Sequence, residues 1–175
     1  SETASQDNPY IAEKCLVHGY DLLDVTSNLS FSESIFLNIK GNLPSPEQLA
    51  LFNAILSGLS NLGPRHAAVR AVMNAAVSKT KIQNLLPLGL AIAGGEFLGA
   101  EQVEQSIKFI SKHINKPAAQ VARSLMDNYQ EDSEDNAIIA PGFGARFGQA
   151  DPVCGQLADV LLQFSASGRS LLWAT

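Results

Sequence analysis

The chain has 175 residues, is 46% hydrophobic and carries a formal net charge of −5. This is enough for one domain with a full core, or for one domain and a fragment of a second. Scattered Lys and Arg without a basic stripe exclude a nucleic-acid binder, and two lone cysteines, Cys15 and Cys154, fit neither a disulfide scaffold nor a structural zinc site.

In chain order, residues 1–14 are polar, lack the apolar segment of a signal peptide and read as a flexible tail. A short extended segment is expected at Cys15–His18, and from there the pattern turns helical. Ser30-Phe31-Ser32-Glu33 is a capping box, and its helix carries Phe31, Ile35, Phe36 and Ile39 before stopping at Gly41. Ser45-Pro46-Glu47-Gln48 opens a second helix, with Leu49, Phe52, Ile55, Leu56 and Leu59 at helical spacing, which ends at Gly63-Pro64.

A third helix is expected over about Arg65–Ser78 and a fourth over Ile82–Ala93. The fourth is apolar nearly all round, as in a buried bundle or a subunit interface, and is too short to span a bilayer. Gly94-Gly95-Glu96-Phe97-Leu98-Gly99-Ala100 follows, a glycine junction of the kind that brings backbone close to a neighbour. Further helices are expected over Glu101–His113 and from Pro117 to Tyr129. The acidic run Glu131–Asp135 reads as a solvated loop. Beyond it lie the Gly-rich loop Pro141-Gly142-Phe143-Gly144-Ala145-Arg146 and a last helix capped by Asp151-Pro152. The class is all-α. The organisation is a tail over 1–14, a helical domain over 15–130, and a remnant over 131–175 holding the acidic loop, the Gly-rich loop and the final helix.

Several of these segments resemble the citrate synthase and citryl-CoA lyase family. The similarity lies in Gly19-Tyr20-Asp21, Ser30-Phe31-Ser32-Glu33, Gly41-Asn42-Leu43-Pro44, Gly94-Gly95 with Leu98-Gly99, and Pro141-Gly142-Phe143-Gly144 with Asp151-Pro152, in matching order from about residue 18 to 165. The resemblance implies a large helical domain, with most of a smaller domain missing. It also implies a homodimer that uses runs such as Ile55–Leu62 and Leu85–Ala93, or a hetero-oligomer with an intact relative. From the sequence itself, two lone thiols and no signal peptide make a cytoplasmic protein the expectation, with no membrane and no metal.

The family's chemistry joins or splits a carbon–carbon bond between an acyl-CoA and a 2-oxo acid. One histidine steadies the enol, a second polarises the oxo-acid carbonyl, and arginines hold the carboxylates. Here the enol histidine's position is Leu98, the carbonyl histidine's is Ala145, and Asp-Pro-Arg becomes Asp151-Pro152-Val153. A further histidine falls on Leu62, and the catalytic aspartate's place lies beyond the last residue. Glu96 and Glu101 flank Leu98, where carboxylates would repel a tricarboxylate.

His18, just before Gly-Tyr-Asp, and His66, four positions from the expected histidine, are the candidate substitutes. His113 reads as structural, a cation at a helix C-terminus. The resemblance places CoA or acyl-CoA at Pro141, Gly142, Phe143, Gly144 and Arg146, where backbone N–H groups and a guanidinium suit an anionic group. Whether the chain is an enzyme stays open. One reading is a catalytically degenerate, dimeric binding or interaction module. The other is an acyl-CoA-dependent enzyme with altered substrate and unrecognised catalytic groups.

Overall fold

The computed structural model describes residues 1–96, 99–128, 140–143, 152–164, 168–169 and 171. Among them the chain is mostly helical: strands β1 (Glu2–Ala4), β2 (Ala12–Val17) and β3 (Tyr20–Asp21) precede helices α1 (Leu22–Asn28), α2 (Phe31–Lys40), α3 (Pro46–Leu59), α4 (Ala67–Val77), α5 (Ile82–Ala93), α6 (Ala100–His113), α7 (Ala118–Asp127) and α8 (Pro152–Leu162). Two compact units divide it, one over residues 1–58 with 163–166 and one over 59–162 with 167–175.

In the first unit, β1 and β2 pair antiparallel with Glu2 opposite Cys15, and β2 and β3 pair with Val17 opposite Tyr20. The polar start of the chain is therefore not wholly a loose tail. Its strand exists because the ladder supplies backbone partners, a non-local gain that composition does not display. His18 and Gly19 form the two-residue turn of the second hairpin, both with positive φ (49° and 91°). Turns of this length favour such angles because they match the twist of the flanking strands. Asp21 caps α1 by accepting from the Leu23 N–H at 2.9 Å and also pairs with Lys14 at 3.4 Å.

The α2 helix closes both its ends. The Glu33 carboxylate accepts from the Ser30 N–H at 2.8 Å and from its hydroxyl at 2.5 Å, while the Ser30 hydroxyl faces the Glu33 N–H at 3.4 Å. At the other end Gly41 turns left-handed (φ 78°) and its N–H donates to the Leu37 carbonyl at 2.7 Å. Leu37 is fully buried, and Phe36 meets Phe52 of α3 edge-on with centroids 5.4 Å apart. The second box forms as the sequence indicates: Gln48 accepts from the Ser45 N–H at 2.9 Å, and its own N–H donates to the Ser45 hydroxyl at 3.2 Å.

In the second unit α4 and α5 form a helical hairpin joined by residues 78–81. Ala68 is buried on α4, and Gly89 lets the helices close: a Cβ there would meet Val72 Cγ2 at 3.0 Å. The hairpin leaves its other apolar side open. No helix among the described residues is long and apolar enough to cross a membrane.

Candidate functional site

The loop after α5 is built on backbone contact. Gly99 approaches the backbone of Gly95 and Ala93 so closely that a Cβ would lie 2.8 Å from the Ala93 oxygen. Only glycine fits, since displacing main chain would break the junction between α5 and α6. The neighbour anticipated for this glycine junction is thus the end of α5 itself. Phe97 and Leu98 lie outside the described residues, as do Gly144, Ala145 and Arg146.

The described part of the Gly-rich loop is a turn: the Phe143 N–H donates to the Ala140 carbonyl at 3.0 Å, and Gly142 has φ 81°. The turn rests on α6. A Cβ on Gly142 would lie 2.9 Å from Ser106 Cβ, so glycine is required by the space as well as by φ. Phe143 meets Phe109 edge-on at 6.0 Å between centroids, and Phe109 in turn contacts the His113 ring at 4.8 Å. Ser106, Phe109 and His113 stand at helical spacing on one side of α6, and that side carries the turn.

His113 Nδ1 is buried with no hydrogen-bond partner among the described residues. Beside it a cavity of about 220 Å³ is lined by His113, Lys116, Gln120, Val121, Ser124 and Leu125. Sequence reasoning gave His113 a structural role only. The signal for its contact with the turn was the 106–109–113 spacing, which becomes informative only once the turn is known to lie there.

The two candidate histidines have local roles. His18 occupies the hairpin turn, its Nε2 3.4 Å from the Asn38 carbonyl and its ring against Gly41, the C-cap of α2. Histidine tolerates positive φ better than most residues, which suits that position. His66 is the N-cap of α4, its Nδ1 accepting from the Ala68 N–H at 3.2 Å. Leu62 lines the open groove of the α4–α5 hairpin, and Val153 lies in the first turn of α8. Within the second unit the described residues join the Pro141–Phe143 turn to α6, while His66 stays engaged at the start of α4. Among the described residues no group of three His, Cys, Asp or Glu side chains stands close enough to hold a metal ion.

The carboxylates with displaced titration belong to local structure. Asp21 is held below the ordinary aspartate range chiefly by the Leu23 N–H, then by Lys14. Glu33 is lowered by the Ser30 hydroxyl and N–H. The Cys15 thiol is raised, first by its hydrogen bond to Glu2.

No family model and no curated protein matches the sequence. Among solved structures, the chain is similar to citryl-CoA lyase from Hydrogenobacter thermophilus, with a TM-score of 0.72 and 22% identity over 94% of this chain and 61% of that one. The likeness extends over nearly the whole chain but less than two thirds of the lyase. Together with the helix order, it establishes a citrate-synthase-like helical fold.

Proposed function

We propose that this chain is a citrate-synthase-like scaffold with a degenerate active site, acting as a binding or interaction module. The observation that carries the reading is the loop between α5 and α6. Its backbone closure is kept, with glycine required at Gly99, while the residue before it, in the donor position, is Leu98. A hydrocarbon side chain there can neither donate a hydrogen bond to an enolate nor exchange a proton. Ala145 and Val153 remove a second donor and a guanidinium in the same way.

Loss of one such donor typically costs about 10²–10³ in rate. Catalytic groups act as a unit, so the losses need not multiply, but no group that develops charge complementarity is left at these positions. CoA or an acyl-CoA is the ligand that suits the turn at Pro141, Gly142 and Phe143, with Gly144 and Arg146 following. The open apolar side of the α4–α5 hairpin supports an interaction role, since helical faces of this kind are covered in working proteins.

The test is turnover. Purified chain given acetyl-CoA and a panel of 2-oxo acids is expected to release no free thiol above the blank, and citryl-CoA is expected to persist. Thiol release that depends on one oxo acid and is lost in Arg146→Ala would establish the enzymatic reading instead.

A further inference from the structure

The cavity of about 220 Å³ at the end of α6 has walls of two kinds. Lys116, Gln120 and Ser124 follow one another in steps of four residues and bring an ammonium, a carboxamide and a hydroxyl, and His113 adds its imidazole. Val121 and Leu125 supply an apolar side. No carboxylate lines the cavity among the described residues. Pockets for drug-sized ligands run to about 300–1,000 Å³, so this one suits a small molecule and not CoA.

The His113 ring is fixed without a hydrogen bond. It packs against Phe109, with centroids 4.8 Å apart, and its Nδ1 is buried and unpartnered among the described residues. A proton on Nδ1 would meet no acceptor, so the neutral ring carries its proton on Nε2. Nε2 is thereby the ring atom that can donate to a ligand.

The surrounding field has one sign. The first turn of α7 contains no acidic residue, and its N-cap, Pro117, makes no side-chain bond, so the positive end of that helix is unmatched. The negative end of α6 is already met. The Arg169 guanidinium donates to the Ile114 carbonyl at 3.3 Å and to the Asn115 side-chain oxygen at 3.1 Å.

We propose that this cavity binds a small organic monocarboxylate. The His113 Nε2–H, the Lys116 ammonium and the Gln120 carboxamide hold the carboxylate, and a short aliphatic tail lies on Val121 and Leu125. A carboxylate is acceptor-only and can take several donors at once, and the charged donor makes the strongest bond. Ser124 stands two turns beyond Lys116, about 12 Å along the helix axis, at the tail end. A bare inorganic anion would leave the apolar side unfilled, and a neutral amide would leave the ammonium unanswered. The site is independent of the degenerate reading, since it requires neither CoA at the Pro141–Phe143 turn nor a donor at Leu98.

The experiment is a titration of the whole isotope-labelled chain with sodium butyrate, followed by NMR of backbone amides and histidine rings. Saturable shifts are expected over residues 113–125 and on the His113 ring, with a Kd of about 1 mM or tighter, while the His18 and His66 rings stay unmoved. Butyramide keeps the shape without the charge and inorganic phosphate keeps charge without the tail, and each binds at least about tenfold more weakly. His113→Phe keeps a ring on Phe109 and removes Nε2, and Lys116→Gln removes the charge from a residue outside α7. Each weakens butyrate by about tenfold, and Lys116→Gln decides the matter if His113→Phe misfolds. The proposal is overturned by the lack of a saturable shift, by shifts centred outside residues 113–125, or by butyrate binding that survives either folded variant. Butyramide or phosphate binding as tightly as butyrate would overturn it as well.

Discussion

Helices α2 and α5 are similar in length and opposite in construction. In α2 the first turn is closed by Ser30 and Glu33, the last by left-handed Gly41, and Leu37 is fully buried. In α5 the N-cap is a lysine with no side-chain bond, Pro87 removes one internal donor, and the stripe at Ile82, Leu86 and Leu90 faces water. The first helix satisfies its own ends and one face within its unit. The second packs one face on α4 and bonds the Gly94 N–H to Leu90, but leaves its N-terminus without a side-chain cap and its Ile82–Leu86–Leu90 stripe in water.

The largest contrast is expected in the side chains. Leu37→Ala should cost about 2–5 kcal/mol, since it empties a fully buried site. Leu86→Ala, measured on dilute monomer, should cost less than about 0.5 kcal/mol, because the side chain already lies mostly in water. Equal losses in urea unfolding would break the comparison.

Next come the ends. Ser30→Ala should cost about 1 kcal/mol through the lost cap. Gly41→Ala should cost about 1 kcal/mol through its positive φ, with the His18 ring 3.4 Å from the new Cβ. Lys81→Asp should go the other way. It supplies α5 with a cap and a favourable charge, raising stability by about 0.5–1 kcal/mol. A urea midpoint that fell or stayed the same would show that the start of α5 does not want for a cap.

The smallest effect is the pH response. Glu33 and Asp21 titrate below their ordinary range in the folded chain, so each adds stability above its unfolded value. That stability is lost as pH falls through the depressed folded values, below about pH 4. Glu33→Gln should flatten part of the change in urea midpoint between about pH 6 and about pH 3. Helix α5 contains no carboxylate and should add nothing to it.

What the sequence revealed follows the same division. The caps at Ser30, Gly41 and Ser45 were legible because each is decided within four residues, and helix α5 because its apolar run has clear limits. The extended end of β2 was legible at Cys15–Val17, but β1 and the start of β2 were not, since Glu2 gains its partner only when Cys15 is brought opposite by the ladder. His18 is a candidate substitute from its position before Gly-Tyr-Asp, and only the fold shows that this position is a hairpin turn. Leu98 and Ala145, where the resemblance would place histidines, are plain in the sequence, though both residues lie outside the described set. The packing of the Pro141–Phe143 turn on Ser106, Phe109 and His113 needed the fold.

The comparison between the two helices can be read directly by amide hydrogen exchange across a protein dilution series. The account predicts that protection over residues 31–40 is independent of concentration, while protection over residues 82–93 rises at least about tenfold as concentration increases. Protection of α5 that equals that of α2 and stays constant on dilution would contradict it.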